Sequence, residues 1–165
     1  MYEQVIEEAK QFIETLFAGN SGGHDVGHTL RVYQNAITIA QKETDCRMEI
    51  VALAALLHDV DDHKLFGLDN AKNLTNTKRI LDECSYDIEI KNQVISEVSS
   101  IGYSKLLNGN RPKTLEGMIV SDADMCDAMG ATGILRSYKY NLKHGKLFFD
   151  KEYYPTEDIS YLEYV

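Results

Sequence analysis

The chain is 165 residues long, enough for one domain with a substantial buried core, and nothing in it reads as an internal linker. Its 44% hydrophobic and 26% charged residues are the balance of a globular protein, which excludes a disordered chain. A net charge of -9 excludes binding of extended nucleic acid over a broad basic surface. It leaves room for a small phosphorylated ligand, because a local metal ion reverses the sign of the potential at one spot.

Helical spacing of apolar residues runs through the chain, and only Pro112 and Pro155 interrupt it, so the expected fold class is all-α. A first helix is expected over residues 2–17, where Val5, Ile6, Ala9, Ile13, Leu16 and Phe17 form one stripe that stops at the turn "GNSGG". A second, over residues 25–41, puts Val26, Leu30, Tyr33, Ile37 and Ala40 inward. His28 sits off that stripe, one turn from Arg31 and Asp25. The third, over about residues 47–59, is apolar almost all round, the mark of a helix buried on every side.

A fourth helix capped by Asp69 or Asn70 runs to about Cys84, and a fifth capped by Asp87 runs through Val94, Ile95 and Val98 to Ile101. "GYSKLLNGNRPK" reads as a loop able to border a pocket. A sixth helix begins near Thr114 and a seventh covers about residues 131–143, while the tail after Gly145 has no clear period. These elements make a bundle of about six to seven helices. A single domain is expected over residues 1–165, with an N-terminal helix at 2–17, a motif-bearing core at about 24–143 and a C-terminal tail at 145–165.

Cys46, Cys84 and Cys126 are odd in number and widely spaced, which fits a reduced, cytoplasmic setting better than a disulfide framework. The N-terminus does not read as a cleaved leader, and the longest apolar run, Ile50 to Leu57, is too short to span a bilayer. A cytoplasmic protein with no membrane partner is expected.

That apolar run ends in "LLHDVDDHK". His58 and Asp59 fall at a helix C-terminus, where the helix dipole and unpaired carbonyls favour a cation. Two adjacent side chains supply only a corner of a coordination shell, so further ligands must come from other helices. His28 and the segment "SDADMCDAMG", residues 121–130, are the candidates. Asp62 lies one turn beyond Asp59 if the helix continues, and a carboxylate there would accept a proton from a metal-activated water. Asp61 is read as a neighbour only.

Three blocks in order, "HDVGHTLRV" (24–32), "ALAALLHDVDD" (52–62) and "LEGMIVSDADMCDAMGATGILR" (115–136), resemble the signature blocks of the HD-domain metal-dependent phosphohydrolases. The nearest branch resembles the compact, stand-alone bacterial and archaeal members. The resemblance implies a helical bundle with one metal held by His28, His58, Asp59 and Asp124, the last chosen because it follows a small residue in an "AD" pair. Periodicity alone puts Asp122 on a face with Leu115, Met118, Ile119, Met125 and Met129, so Asp122 stays the alternative fourth ligand. Asp62 stands where relatives carry a water-activating acid, usually a glutamate, which is one methylene longer. His63 stands where alarmone hydrolases have an aspartate.

No histidine occurs between Lys64 and Lys143, which favours a single divalent ion, and two imidazoles with two carboxylates suit Mn, Co, Ni, Fe, Zn or Mg. Phosphate would meet Arg31, Lys64 and Arg136, with Lys139 one turn further on. Arg31 has a competing use, pairing with Asp25 or Asp59 to hold the site together. His24, His63 and His144 are read as surface residues. Tyr138, Tyr140, Tyr153, Tyr154, Tyr161 and Tyr164 are read as core or dimer contacts rather than a base-stacking surface, which leaves a homodimer open.

The expected function is that of a metal-dependent phosphohydrolase of the nucleotidase, phosphodiesterase or pyrophosphohydrolase type. A metal-activated water would cleave a phosphoester or phosphoanhydride, by resemblance that of a nucleotide, with Asp62 as proton acceptor. One alternative is a nucleotide-binding or sensing module that keeps the metal without useful turnover. Another is a helical interaction domain with a structural metal.

Overall fold

Eight consecutive residues, Ile50 to Leu57, have no solvent exposure, and the fold is built around the helix that carries them. The computed structural model describes residues 2–19, 25–84, 86–149 and 151–152. Residues 20–23 of the expected first turn, His24, and the tyrosines Tyr153, Tyr154, Tyr161 and Tyr164 lie outside the described residues. Among the described residues there are ten helices and no strand. They are α1 (Tyr2–Leu16), α2 (Val26–Ala40), α3 (Met48–Leu57), α4 (His63–Phe66), α5 (Leu68–Asn73), α6 (Thr75–Glu83), α7 (Ile88–Ser100), α8 (Tyr103–Leu107), α9 (Leu115–Asp127) and α10 (Gly130–Lys143).

The central α3 packs against α1, α2, α7 and α9, and α2 also lies along α9. Its all-round apolar sequence is the reason it takes the central place, since any face turned to water would forfeit the burial of an Ile, Val or Leu side chain. The N–H of its capping residue Arg47 donates to the buried carboxylate of Glu116, at 2.9 Å, which ties the start of α3 to α9. No helix among the described residues is long and apolar enough to cross a membrane.

The helix count exceeds the expected six to seven for local reasons. The expected fourth helix is two, α5 and α6, separated by Leu74 in the left-handed region at φ 50°. The carboxylate of Asp61 starts α6 afresh by accepting from the backbone N–H of Asn76 (2.8 Å) and of Thr77 (2.9 Å) and from the Thr77 hydroxyl (2.7 Å). Asn70 donates to it as well, at 2.8 Å. Asp61 is therefore no bystander; its buried carboxylate joins the segment after α3 to α6. Asp61→Ala would leave these buried donors unmatched, with an expected loss of about 3–5 kcal/mol. Thermal denaturation should register a fall in Tm of roughly 10 °C; an unchanged Tm would refute the assignment.

The two other additions are α4 and α8, single turns inside stretches expected to be irregular. Gly102, at φ 125°, makes the turn into α8, a conformation that side chains beyond glycine rarely adopt. Of the two uses expected of Tyr138 and Tyr140, the core contact is corrected for Tyr138. Tyr138 is 48% exposed with its ring edge-on to Phe148, and Tyr140 is half-buried and stacks on His144.

Candidate metal centre

Three helix ends and their caps deliver the candidate ligands. Asp25 caps α2 by accepting from the His28 N–H at 3.0 Å, which fixes His28 in the first turn of that helix. His58 is the C-cap of α3 and Asp59 follows it. Asp124 lies in the last turn of α9, the helix packed along both α2 and α3.

The two imidazoles are aimed by their far nitrogens. His28 Nδ1 lies 2.7 Å from Asp127 Oδ2, and His58 Nδ1 lies 2.8 Å from the Ala55 carbonyl. A carbonyl only accepts, so His58 Nδ1 carries a hydrogen, and the Asp127 carboxylate asks the same of His28. Both Nε2 atoms then face a common point. They are 3.2 Å apart, and Asp59 Oδ2 stands 3.3 Å from the one and 3.4 Å from the other. Asp124 Oδ1 is 3.4 Å from His28 Nε2 and 3.9 Å from His58 Nε2.

Neighbouring donors bound to one ion at roughly 2.0–2.2 Å sit about 2.8–3.6 Å from each other, so these separations fit a single coordination sphere with little adjustment. The set of His28, His58 and Asp124, with donor atoms within 4.8 Å of one another, could hold a metal ion, and Asp59 closes on both imidazoles. The donor chemistry fits as well. Two carboxylates converging on buried imidazoles call for a positive charge between them.

In the ion-free protein a proton meets part of that demand. Burial alone would lower the pKa of His58, but the adjacent Asp59, by charge and by hydrogen bond, then Asp124 and the Ala55 carbonyl, raise it to about 9. A folded pKa above the unfolded value means that the proton is held below about 9 and must leave before the nitrogen can bind a metal. Binding of a divalent ion at pH 7 should therefore expel about one proton, and affinity should rise about tenfold per pH unit toward that value. Calorimetry in buffers of different ionisation enthalpy measures the release; heats independent of buffer would count against it.

Asp124 rather than Asp122 joins this group, because Asp122 is exposed on the opposite side of α9. The stripe that seemed to favour Asp122 is a core face only in part, since Ile119 is buried while Met118 is 46% exposed and Met129 62%. α3 stops before Asp62, so that carboxylate is not one helical turn beyond Asp59. It is instead the N-cap of α4, its Oδ1 accepting from the Lys64 N–H at 2.8 Å. Asp62 still lines a cavity of about 370 Å³ together with Asp59, His63, exposed Lys64, Asp124 and Arg136.

Arg31, expected to meet phosphate, does not line that cavity. Its guanidinium grips Asp127 with Nε at 2.6 Å from Oδ1 and Nη2 at 3.0 Å from Oδ2. Arg136 reaches the same carboxylate with Nη1 at 2.9 Å. Lys139 lies 3.6 Å from Asp25. The competing use of Arg31 is observed with Asp127 as its hydrogen-bonded partner, and Asp25 adds attraction by charge.

Two residues of the site fall in segments that the sequence marked, residues 121–130 and the stretch "GYSKLLNGNRPK", without being singled out there. Asp127 anchors His28, and its only signal is a position three residues after Asp124 on the same face of α9. Lys105, on α8, lines a smaller cavity of about 80 Å³ with His58, Asp59, Asp61 and Asp62.

The HD domain family model matches residues 25–129. Protein L803 of Acanthamoeba polyphaga mimivirus is 33% identical over 135 residues, which cover 73% of this chain and 54% of the relative. YpgQ of Bacillus subtilis is 31% identical over 145 residues, covering 81% of this chain and 65% of YpgQ. The chain thus spans less than two thirds of either relative. Among solved structures, a Lactobacillus plantarum protein superposes with TM-score 0.82 at 27% identity, over 98% of this chain and 74% of the other. An HD-superfamily hydrolase from Bacillus thuringiensis superposes with TM-score 0.70 at 27% identity, over 99% and 78%. YpgQ in complex with ADP superposes with TM-score 0.68 at 25% identity, over 92% and 73%.

Proposed function

The chain belongs to the HD-domain family, and from that premise we propose that it is a metal-dependent phosphohydrolase acting on a phosphoester or phosphoanhydride of a nucleotide. One observation carries the reading: two buried imidazoles and two carboxylates converge beside a cavity of about 370 Å³ whose wall includes Asp59 and Asp124. That volume suits a small ligand. The ADP bound to YpgQ supports a nucleotide as the class.

His28, His58, Asp59 and Asp124 would hold one divalent ion, for which Mn, Co, Ni, Fe, Zn and Mg are all suitable. Such an ion supplies Lewis acidity, polarising a phosphoryl oxygen and making a water acidic enough to yield hydroxide near neutral pH. Asp62, in the cavity wall, is assigned as the acceptor of the water's proton. Lys64 and Arg136 in the same wall are assigned to the substrate phosphates. Arg31 is a positioning residue that acts through Asp127 on His28.

A second reading, a nucleotide-binding or sensing module without turnover, is favoured by the use of Asp62 as a helix cap. One experiment separates the two. The protein is incubated with manganese or cobalt and a panel of mono-, di-, tri- and cyclic nucleotides, and released phosphate and pyrophosphate are measured beside nucleotide binding. Release from at least one nucleotide is expected. Binding without release favours the sensor, and neither binding nor release overturns both.

A further inference from the structure

We propose that Lys105 binds, by charge and hydrogen bond, the phosphoryl group of the substrate that lies at the metal end of the site, an inference that rests on the phosphohydrolase reading. The geometry begins with the turn at Gly102, which brings Ser104 and Lys105 of α8 to face the end of α3. The Lys105 ammonium donates to the Val98 carbonyl at 2.7 Å, which tethers the side chain against α7. An ammonium carries three donors, and this bond uses one.

Lys105 lines the 80 Å³ cavity whose other walls include His58, Asp59, Asp61 and Asp62. This space is too small for a nucleotide and suits a phosphoryl group or a few waters. It adjoins the 370 Å³ cavity, since Asp59, Asp62, His63, Gly102 and Ser104 line both. A nucleotide in the larger space can therefore turn its phosphate end into the smaller one, beside Asp59 and His58.

Charge favours a cation in the smaller cavity, where Asp59, Asp61 and Asp62 meet. Asp59, Asp61, Asp62 and Asp124 surround the two cavities, and one divalent ion offsets only half of their formal charge. An incoming phosphate would add to the excess. The guanidinium of Arg31 is committed to Asp127, and Lys64 and Arg136, assigned to phosphates in the larger cavity, do not line the smaller one, which Lys105 does. Lys105 is part-buried and in the field of Asp59, Asp62 and Asp61; burial lowers its pKa while those three carboxylates oppose the shift.

The test uses methylenediphosphonate, a pyrophosphate analogue that resists hydrolysis, titrated calorimetrically into manganese-loaded protein. Lys105→Met should weaken its binding about 10- to 100-fold, and Lys105→Arg should retain most of it. Manganese should still bind both variants, which a metal-site residue would not allow, and Lys105→Arg should keep analogue binding whatever change in Tm follows from losing the bond to Val98, which a merely structural lysine would not do. Equal binding by wild type and Lys105→Met overturns the role of Lys105 and leaves the hydrolase reading standing. A wild type that neither binds the analogue nor releases phosphate from any nucleotide overturns both. If Lys105→Met fails to fold, the 15N ammonium resonance of Lys105 in the unaltered protein decides. It should shift on addition of the analogue, and an unmoved resonance overturns the proposal.

Discussion

His58→Ala is expected to abolish binding of the divalent ion and to lower kcat/KM for the proposed nucleotide hydrolysis by about three orders of magnitude or more. The side chain stands at the centre of the cluster: its Nε2 lies within 3.2 to 3.9 Å of His28, Asp59 and Asp124. Removing it deletes one donor and opens the place where Asp59 and Asp124 are drawn toward a common charge. Glutamine, which keeps bulk and one polar end, should not restore the ion, because the amide is a poor substitute for imidazole at this kind of site. Metal content by mass spectrometry, measured beside activity, checks the claim. Retention of stoichiometric metal by the alanine variant would contradict it.

Asp127→Ala should have the second largest effect, although Asp127 is not placed among the ligands. Its carboxylate is 3% exposed and holds His28, Arg31 and Arg136 at once. Loss of the anchor frees the His28 ring and should weaken metal affinity about 10- to 100-fold. It also removes the shared carboxylate from Arg136 and from Arg31, whose side chain is 41% exposed, an expected cost of about 1–3 kcal/mol once solvent screening is counted. Burial pushes the Asp127 carboxyl up, but hydrogen bonds from His28 and Arg31, then the charges of His28 and Arg136, outweigh it and hold it well below the usual carboxylate range.

The sign of the pH effect follows from that depression. Between the low folded pKa and the ordinary unfolded value of about 3.9, the unfolded chain binds the extra proton, so stability rises with pH across that window. The contribution is present above it and is lost as the solution is acidified. Asp127→Asn removes this titration, and its denaturation curves should show a flatter dependence below about pH 4 than the parent. An identical acid slope would show that Asp127 is not held by these partners.

The parts of the fold that were legible in sequence are those set by local chemistry. Asp25 caps α2 and Thr114 caps α9 through side-chain bonds to backbone N–H groups, and the chain enters α7 at Asp87, so these helices begin where small polar residues precede an apolar period. The central place of α3 was legible for a related reason, because an all-round apolar helix has no other stable position. The break at Leu74 was not, since neither glycine nor proline marks it and its cause, the buried Asp61, lies 13 residues earlier in the chain. The extra turns α4 and α8 escaped notice because single turns leave no period.

The site divides along the same line. His28, His58, Asp59 and Asp124 could be nominated together because three ordered sequence blocks carry them, and the fold brings their donor atoms to one place. Asp127 and Lys105 could not. Asp127 acts on a histidine 99 residues away, and Lys105 acquires its setting only from a turn that folds back onto α7. The pull of Asp122 came from treating methionines as inward residues, when Met118 and Met129 in fact face solvent.

The most direct measurement is anomalous diffraction from crystals of the protein soaked in manganese. One peak is expected within bonding reach, roughly 2.0–2.2 Å, of His28 Nε2, His58 Nε2 and the carboxylates of Asp59 and Asp124. No peak at that position, or a manganese ion held elsewhere by other residues, would contradict the metal centre on which the proposed hydrolysis depends.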